Sequence, residues 1–248
     1  MLQAKPQEMD RVFDGLLAIH IAFGILSIVC FWVPMLARKG GQLHRQAGKA
    51  YVLFMWVVVV SAALLSSIRL TQGHYVIAAF LGYLSLITAH PLWYGTAILR
   101  YKQQVPLRLL AIRRGLNLAI FIGGLGLVIW SLLLQVQNEA VLLLIFGLLG
   151  LTAFSVVRQP LTQAQAEASW IREHIDGMIS TSIAAYTAFF AFGGRRLLAA
   201  FLTDYWMVLP WVLPTILGTI AIRRMKRKWV KGVGSVSNQL QGRDFRRR

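Results

Sequence analysis

A chain of 248 residues that is 57% hydrophobic and only 14% charged, with a mean hydropathy of +0.60, is too apolar to be one or two soluble domains. Its net charge of +17 would suit nucleic acid if the cations covered one surface, but they are confined to the segments between apolar runs, which speaks against that partner. A single cysteine, Cys30, permits no intrachain disulfide.

A helix needs about 20 mostly apolar residues to cross a hydrocarbon core of roughly 30 Å, and this chain offers that length repeatedly. The first run, 16–37, follows acidic residues and is longer than a cleaved signal core, so it is expected to stay in the mature protein. His20 lies six residues beyond Asp14, about 9 Å into that run. It is expected to bond a neighbouring helix or to belong to an outer site, while Cys30 reads as a small buried apolar residue. The connector that follows, "RKGGQLHRQAGKAY" at 38–51, holds Arg38, Lys39, Arg45 and Lys49, which serve orientation. Its Gly40, Gly41 and Gly48 suit a tight turn and close helix approach. His44 is what those explanations leave over.

The second span is expected at 50–68, followed by the short loop "RLTQGH", in which His74 is solvated. The third runs from 75 to about 93, where Trp93 and Tyr94 mark a membrane–water boundary. On that placement His90 lies within one turn of the inner interface. Residues 100–115 place Leu107, Leu109, Leu110 and Ile112 among cations, as in a short interfacial helix after Pro106.

The fourth span is expected at 116–134 and the fifth at 140–157. The glycines of "GGLGL" (123–127), with Gly147 and Gly150, read as helix–helix contacts. Residues 158–174 begin with Pro160 and an alanine-rich helix and reach Trp170, an interfacial anchor. The sixth span, 175–192, carries His174, Met178 and Thr181 or Ser182 at helical spacing. Met178 is either an axial ligand or a core residue, and Thr181, Ser182 and Thr187 are suited to bonding their own helix backbone or bridging to a neighbouring helix. A seventh span, 205–222, is bent by Pro210 and Pro214. The basic segment "RRMKRKWVKG" then lies against anionic headgroups.

The fold class is therefore all-α, a polytopic transmembrane bundle of about seven spans, with six or eight as alternatives. Residues 1–222 form the membrane domain and 223–248 a basic cytoplasmic tail. Of the 26 Lys and Arg, 21 fall in segments 37–49, 100–115, 158–174 and 223–248, and five on the opposite side. That bias puts the amino terminus outside and the carboxyl terminus in the cytoplasm of a bacterial inner membrane.

Ionisable groups inside a bilayer are expensive and point to function. On this topology His44, His90 and His174 come from three segments at similar depth. Neutral imidazoles ligate zinc, copper and iron, and three with an open position suit a hydrolytic zinc site. Two facing imidazoles would instead hold haem b for electron transfer. Glu173 and Asp176 are candidates to orient an imidazole or act as general acid–base groups. Arg45, with Lys39, is the candidate contact for an anionic lipid headgroup. No HExxH, CxxC or CxxCH motif accompanies them. The competing reading is a transporter or accessory subunit whose histidines are structural or gate protons.

The stretch "HIAFGILSIVCFWVPMLARKGGQLHRQAGKAY" (20–51) resembles the opening of the DUF2306 family of predicted bacterial membrane proteins, with its "KG...HR..G" loop. "WIREHIDGMISTSIAAYTAF" (170–189) resembles a later segment of that family. The resemblance covers about a third of the chain and implicates His20, Lys39, Gly40, His44, Arg45, Gly48, His174 and Met178. It implies no activity, because the family's function is unknown, and His90 comes from the aromatic-boundary argument instead.

Overall fold

A computed structural model describes residues 6–133, 138–159, 169–194 and 209–245. Among these residues every regular element is helical and no strand occurs. In chain order they are α1 (Pro6–Leu36), α2 (Gln42–Thr71), α3 (Tyr75–Ala97) with a 3-10 turn (Ile98–Arg100), α4 (Leu107–Leu133), α5 (Asn138–Leu151), α6 (Phe154–Val157), α7 (Ser169–Ala188) continued by a π-turn (Phe189–Gly193), and α8 (Leu209–Phe245).

Five of these helices are long and apolar enough to cross a membrane: Glu8–Leu36, Gln42–Thr71, Tyr75–Arg100, Leu107–Leu133 and Trp170–Gly193. They carry large exposed apolar side chains, such as Val29, Leu53, Ile122 and Leu132, a surface that suits lipid tails rather than water. The expected span at 140–157 is divided, because α5 ends at Leu151 and α6 begins at Phe154. At that break Thr152 Oγ1 donates to Leu149 O at 2.6 Å and Ser155 Oγ to Thr152 O at 2.8 Å, as hydroxyls competing for helix carbonyls do. The start of the expected seventh span, 205–208, and the alanine-rich segment at 160–168 lie outside the described residues. What is described of that last segment, α8, runs from the apolar stretch into the basic one with no helix boundary at 222.

The chain separates into two compact units, one from the described residues within 1–90 and 114–159, the other from those within 91–113 and 160–248. The divisions fall inside continuous helices, beside Pro91 in α3 and between Arg113 and Arg114 in α4.

In the first unit α1 packs on α2 through Phe31 on Tyr51, with ring centroids 5.5 Å apart, and Phe23 on Phe54 at 5.6 Å. The buried hydroxyl of Ser85 ties α3 to α2 by donating to Val59 O at 2.8 Å. The α3–α4–α5 contact is built on absent side chains. A Cβ on Gly124 would stand 2.8 Å from Gly147 O, and one on Gly150 would overlap the Tyr83 hydroxyl. Gly123, Gly124, Gly147 and Gly150 therefore are helix contacts, while Gly126 faces open space; Tyr83 fills the space the four leave, its hydroxyl donating to Ile120 O at 2.9 Å. Gly48 differs, since nothing lies within 4 Å of where its Cβ would be.

In the second unit the end of α3 crosses α7 so closely that a Cβ on Gly177 would lie 2.5 Å from Pro91 O and 2.7 Å from Gly95 Cα. Tyr94, Ile98, Val105 and Leu109 form a buried cluster that fixes the connector between α3 and α4, with Trp170 of α7 packed against it.

Candidate functional site

His44 stands in the first turn of α2, and the turn before it requires a left-handed residue, supplied by Gly40 at φ 75°. That reversal brings two donors to one carbonyl: Lys39 Nζ reaches Pro34 O at 2.7 Å and His44 Nδ1 reaches the same oxygen at 2.9 Å. Lys39 also donates to Met35 O. The last carbonyls of a helix lack intrahelical partners and carry its negative end, so both contacts cap α1. Arg45 donates to Gly40 O at 3.1 Å. The two cations expected at a lipid anion thus bond loop and helix-end carbonyls.

A carbonyl can only accept, so His44 holds its proton on Nδ1 and, when neutral, its lone pair on Nε2. His174 repeats the arrangement in the second unit. Its Nδ1 donates to Gly95 O at 2.8 Å, a carbonyl within reach because Gly95 and Gly177 let their backbones touch. Met178 packs at the same crossing, its Cε 3.2 Å from where a Gly95 Cβ would be.

His90 is different in kind and in place. Its Nε2 lies 3.1 Å from Nδ2 of Asn117, which is only 5% exposed. An amide N–H pointing at Nε2 uses that lone pair and leaves the ring proton on Nδ1, the tautomer that a carbonyl at Nδ1 also sets in the other two. The third span also continues past the expected end at Trp93 to Arg100. His90 therefore lies ten residues, about 15 Å of helix, from the end of that helix. Trp93 and Tyr94 mark no helix end, and Tyr94 is a core residue.

Glu173 and Asp176 are both ion-paired within the second unit. Glu173 Oε2 accepts from Arg113 at 3.1 Å, and Arg113 lies over the Tyr94 ring, 4.4 Å from its centroid. Arg113 also reaches the Tyr94 hydroxyl at 3.4 Å. Asp176 Oδ2 holds Lys226 Nζ of α8 at 2.5 Å. The two acids, three residues apart, tie α7 to the start of α4 and to α8.

Of the remaining histidines, His20 in α1 bonds the neighbouring helix as expected, its Nδ1 3.0 Å from Ser61 Oγ and 3.1 Å from Val58 O. His74 is exposed in the loop before α3. Among the described residues no three His, Cys, Asp or Glu side chains stand together as a metal site. Sequence reasoning misses the partners Arg113, Tyr94, Asn117, Lys226 and the Pro34 and Gly95 carbonyls. Asn117 alone carries a usable signal, as a lone amide just inside an apolar run.

Five membrane-length helices that turn large apolar side chains outward define a multi-pass helical membrane protein. No family model, no curated protein and no solved structure matches the chain.

Proposed function

We propose that this multi-pass membrane protein carries a cofactor on histidine imidazoles near its cytoplasmic face, with the topology read from its charges: amino terminus outside, basic carboxyl terminus inside, in a bacterial inner membrane. On this reading the segments 140–157 and 205–222 complete seven spans, anionic lipids cover the basic face, and the resemblance to the DUF2306 family holds.

The observation that carries the reading is the pair of Nδ1-to-carbonyl bonds at His44 and His174. Ligating histidines bind through one nitrogen while the other N–H is held by a carbonyl or carboxylate, which fixes tautomer and ring direction. Both imidazoles meet that requirement, and their Nε2 atoms are the proposed donors. His90 would donate through Nδ1 only with the Asn117 amide turned so that its oxygen, not its nitrogen, faces the ring Nε2–H. A haem b would supply one-electron transfer, and a zinc ion would supply an activated water. Glu173 and Asp176 hold cations, Arg113 and Lys226, and so set the position of the α7 turn that bears His174.

The test is a visible spectrum and metal analysis of protein purified in detergent without chelators. A Soret band, or stoichiometric zinc, that is lost in His174→Ala or His44→Ala and kept in His74→Ala supports the reading. Protein with neither cofactor overturns it.

A second reading, a carrier with proton-gating histidines, is favoured by the Arg113–Glu173 pair, because both residues belong to membrane-length helices. Cofactor-free protein that acidifies proteoliposomes in a His174-dependent way would establish it in place of the first.

A further inference from the structure

The connector between α3 and α4 is a built surface. Ile98 and Val105 are fully buried at its two ends, so residues 99–104 are pinned to the core rather than hanging from it. They line a concave seat of about 460 Å³ that contains Arg100, Lys102, Gln103 and Gln104. All four of these polar residues are exposed.

Among the described residues nothing compensates the charge of this seat. No Asp or Glu occurs between residues 75 and 138. The two ion pairs among the described residues join Arg113 to Glu173 and Lys226 to Asp176, and neither uses Arg100 or Lys102. Lys102 Nζ lies 5.1 Å from the centroid of the Trp170 ring, which presents the ammonium beside an aromatic of the kind that settles at headgroup level. The seat also joins two membrane-length helices, Tyr75–Arg100 and Leu107–Leu133. A six-residue connector between two spans cannot leave the membrane surface, so what it meets there is headgroups.

We infer that the Arg100–Gln104 connector is a binding seat for the phosphate of an anionic phospholipid, with Arg100 and Lys102 supplying charge and the Gln103 and Gln104 amides supplying donors to the ester and glycerol oxygens. Two cations with neutral amide donors, and no acid among the described lining residues, fit a singly charged phosphodiester. The inference rests on the lipid-facing part of the reading above and is independent of any cofactor.

The experiment is native mass spectrometry of the full chain from detergent micelles doped with equal phosphatidylglycerol and phosphatidylcholine, counting lipids retained. The expected result is selective retention of phosphatidylglycerol, reduced roughly thirtyfold in R100Q/K102Q, as expected for two cations close to one anionic headgroup. R100K/K102R keeps the charge and should keep the lipid. It also separates loss of the seat from failure to fold. R223Q/R224Q, which removes the same charge from exposed positions of α8, should leave retention unchanged.

An equal fall in R100Q/K102Q and R223Q/R224Q would overturn the seat while leaving general attraction of acidic lipid intact. No selectivity in the unmodified protein would overturn both. Displacement of phosphatidylglycerol by millimolar inorganic phosphate would identify a free-anion site and overturn the lipid assignment.

Discussion

Replacing Gly150 with alanine tests how the first unit is packed. The added Cβ would fall on the Tyr83 hydroxyl, 2.9 Å from its Cζ and 3.1 Å from Ile120 O. Tyr83 is only 6% exposed, so its ring cannot swing away without displacing neighbours. Overpacking of this kind costs about 1–3 kcal/mol, and ejecting the hydroxyl from Ile120 O adds the roughly 0.6–1 kcal/mol of a bond between membrane helices. Tyr83→Phe alone should cost only that last amount. In the double variant the worst clash is gone and the hydroxyl bond is lost once rather than twice. Gly150→Ala should then cost about 1 kcal/mol less in the Tyr83→Phe background than in the native one. The four proteins are compared by unfolding in mixed micelles with increasing dodecyl sulfate, followed by circular dichroism. Strict additivity, or Gly150→Ala within about 0.5 kcal/mol of the unmodified chain, would refute the packing argument.

Other contacts give further expectations. Gly177→Ala forces a methyl against the Pro91 carbonyl and the Gly95 backbone, neither of which is a movable side-chain end; it should lower the melting midpoint more than Gly48→Ala, whose site is open. Arg113→Met and Glu173→Met should each destabilise by about 1–3 kcal/mol, below the range for fully buried pairs because both side chains retain some exposure, and the double variant should be milder than either single one. Thermal scans of the four proteins check this, and a double variant that is the least stable of the set would contradict it. Lys39→Met removes a cation from the carboxyl end of α1 and should cost about 0.3–1 kcal/mol, a loss that Lys39→Arg largely restores. The same dodecyl sulfate titration reads it.

The helices are legible in the sequence because the bilayer imposes one length and one composition on anything that crosses it. The spans expected at 16–37, 50–68, 75–93 and 116–134 all reappear as longer helices, extended at their ends by residues that hydropathy assigns to loops. Gln42–Ala50 continues α2 through Lys49, and Pro91–Arg100 carries α3 past Trp93. Both continuations include weak helix formers, Gly48 in the first and Pro91 and Gly95 in the second, which is why composition alone does not carry the spans through them. The aromatic pair reads as a boundary, whereas Tyr94 is buried at 4% exposure beneath Arg113. Aromatic belts mark interfaces on average, but a ring that covers a guanidinium has a second reason to be where it is. The Gly124, Gly147 and Gly150 contact is readable for the opposite reason: small residues clustered in apolar helices have few uses besides close approach.

The histidines are readable as a set and misleading as a trio. Residue type and spacing give three imidazoles the same role, but a lone pair is decided by what stands against the other nitrogen, and that partner is in each case distant in sequence or a backbone atom. Pro34 O is ten residues from His44, Gly95 O is 79 from His174, and Asn117 is 27 from His90. Two of the partners are carbonyls, which every residue possesses and no composition reveals. The third is an amide, which takes Nε2 where the two carbonyls take Nδ1. The chemistry of "RKGGQLHRQAGKAY" accordingly turns on the left-handed Gly40, because that one residue folds Lys39 and His44 back onto the end of α1. Gly40→Ala, strained at φ 75°, should therefore weaken the α1 cap and disturb any ligand on His44 together, whereas Lys39→Met should weaken the cap alone. If a cofactor signal fell equally in both variants, His44 would depend on the capped helix end and not on its own carbonyl bond.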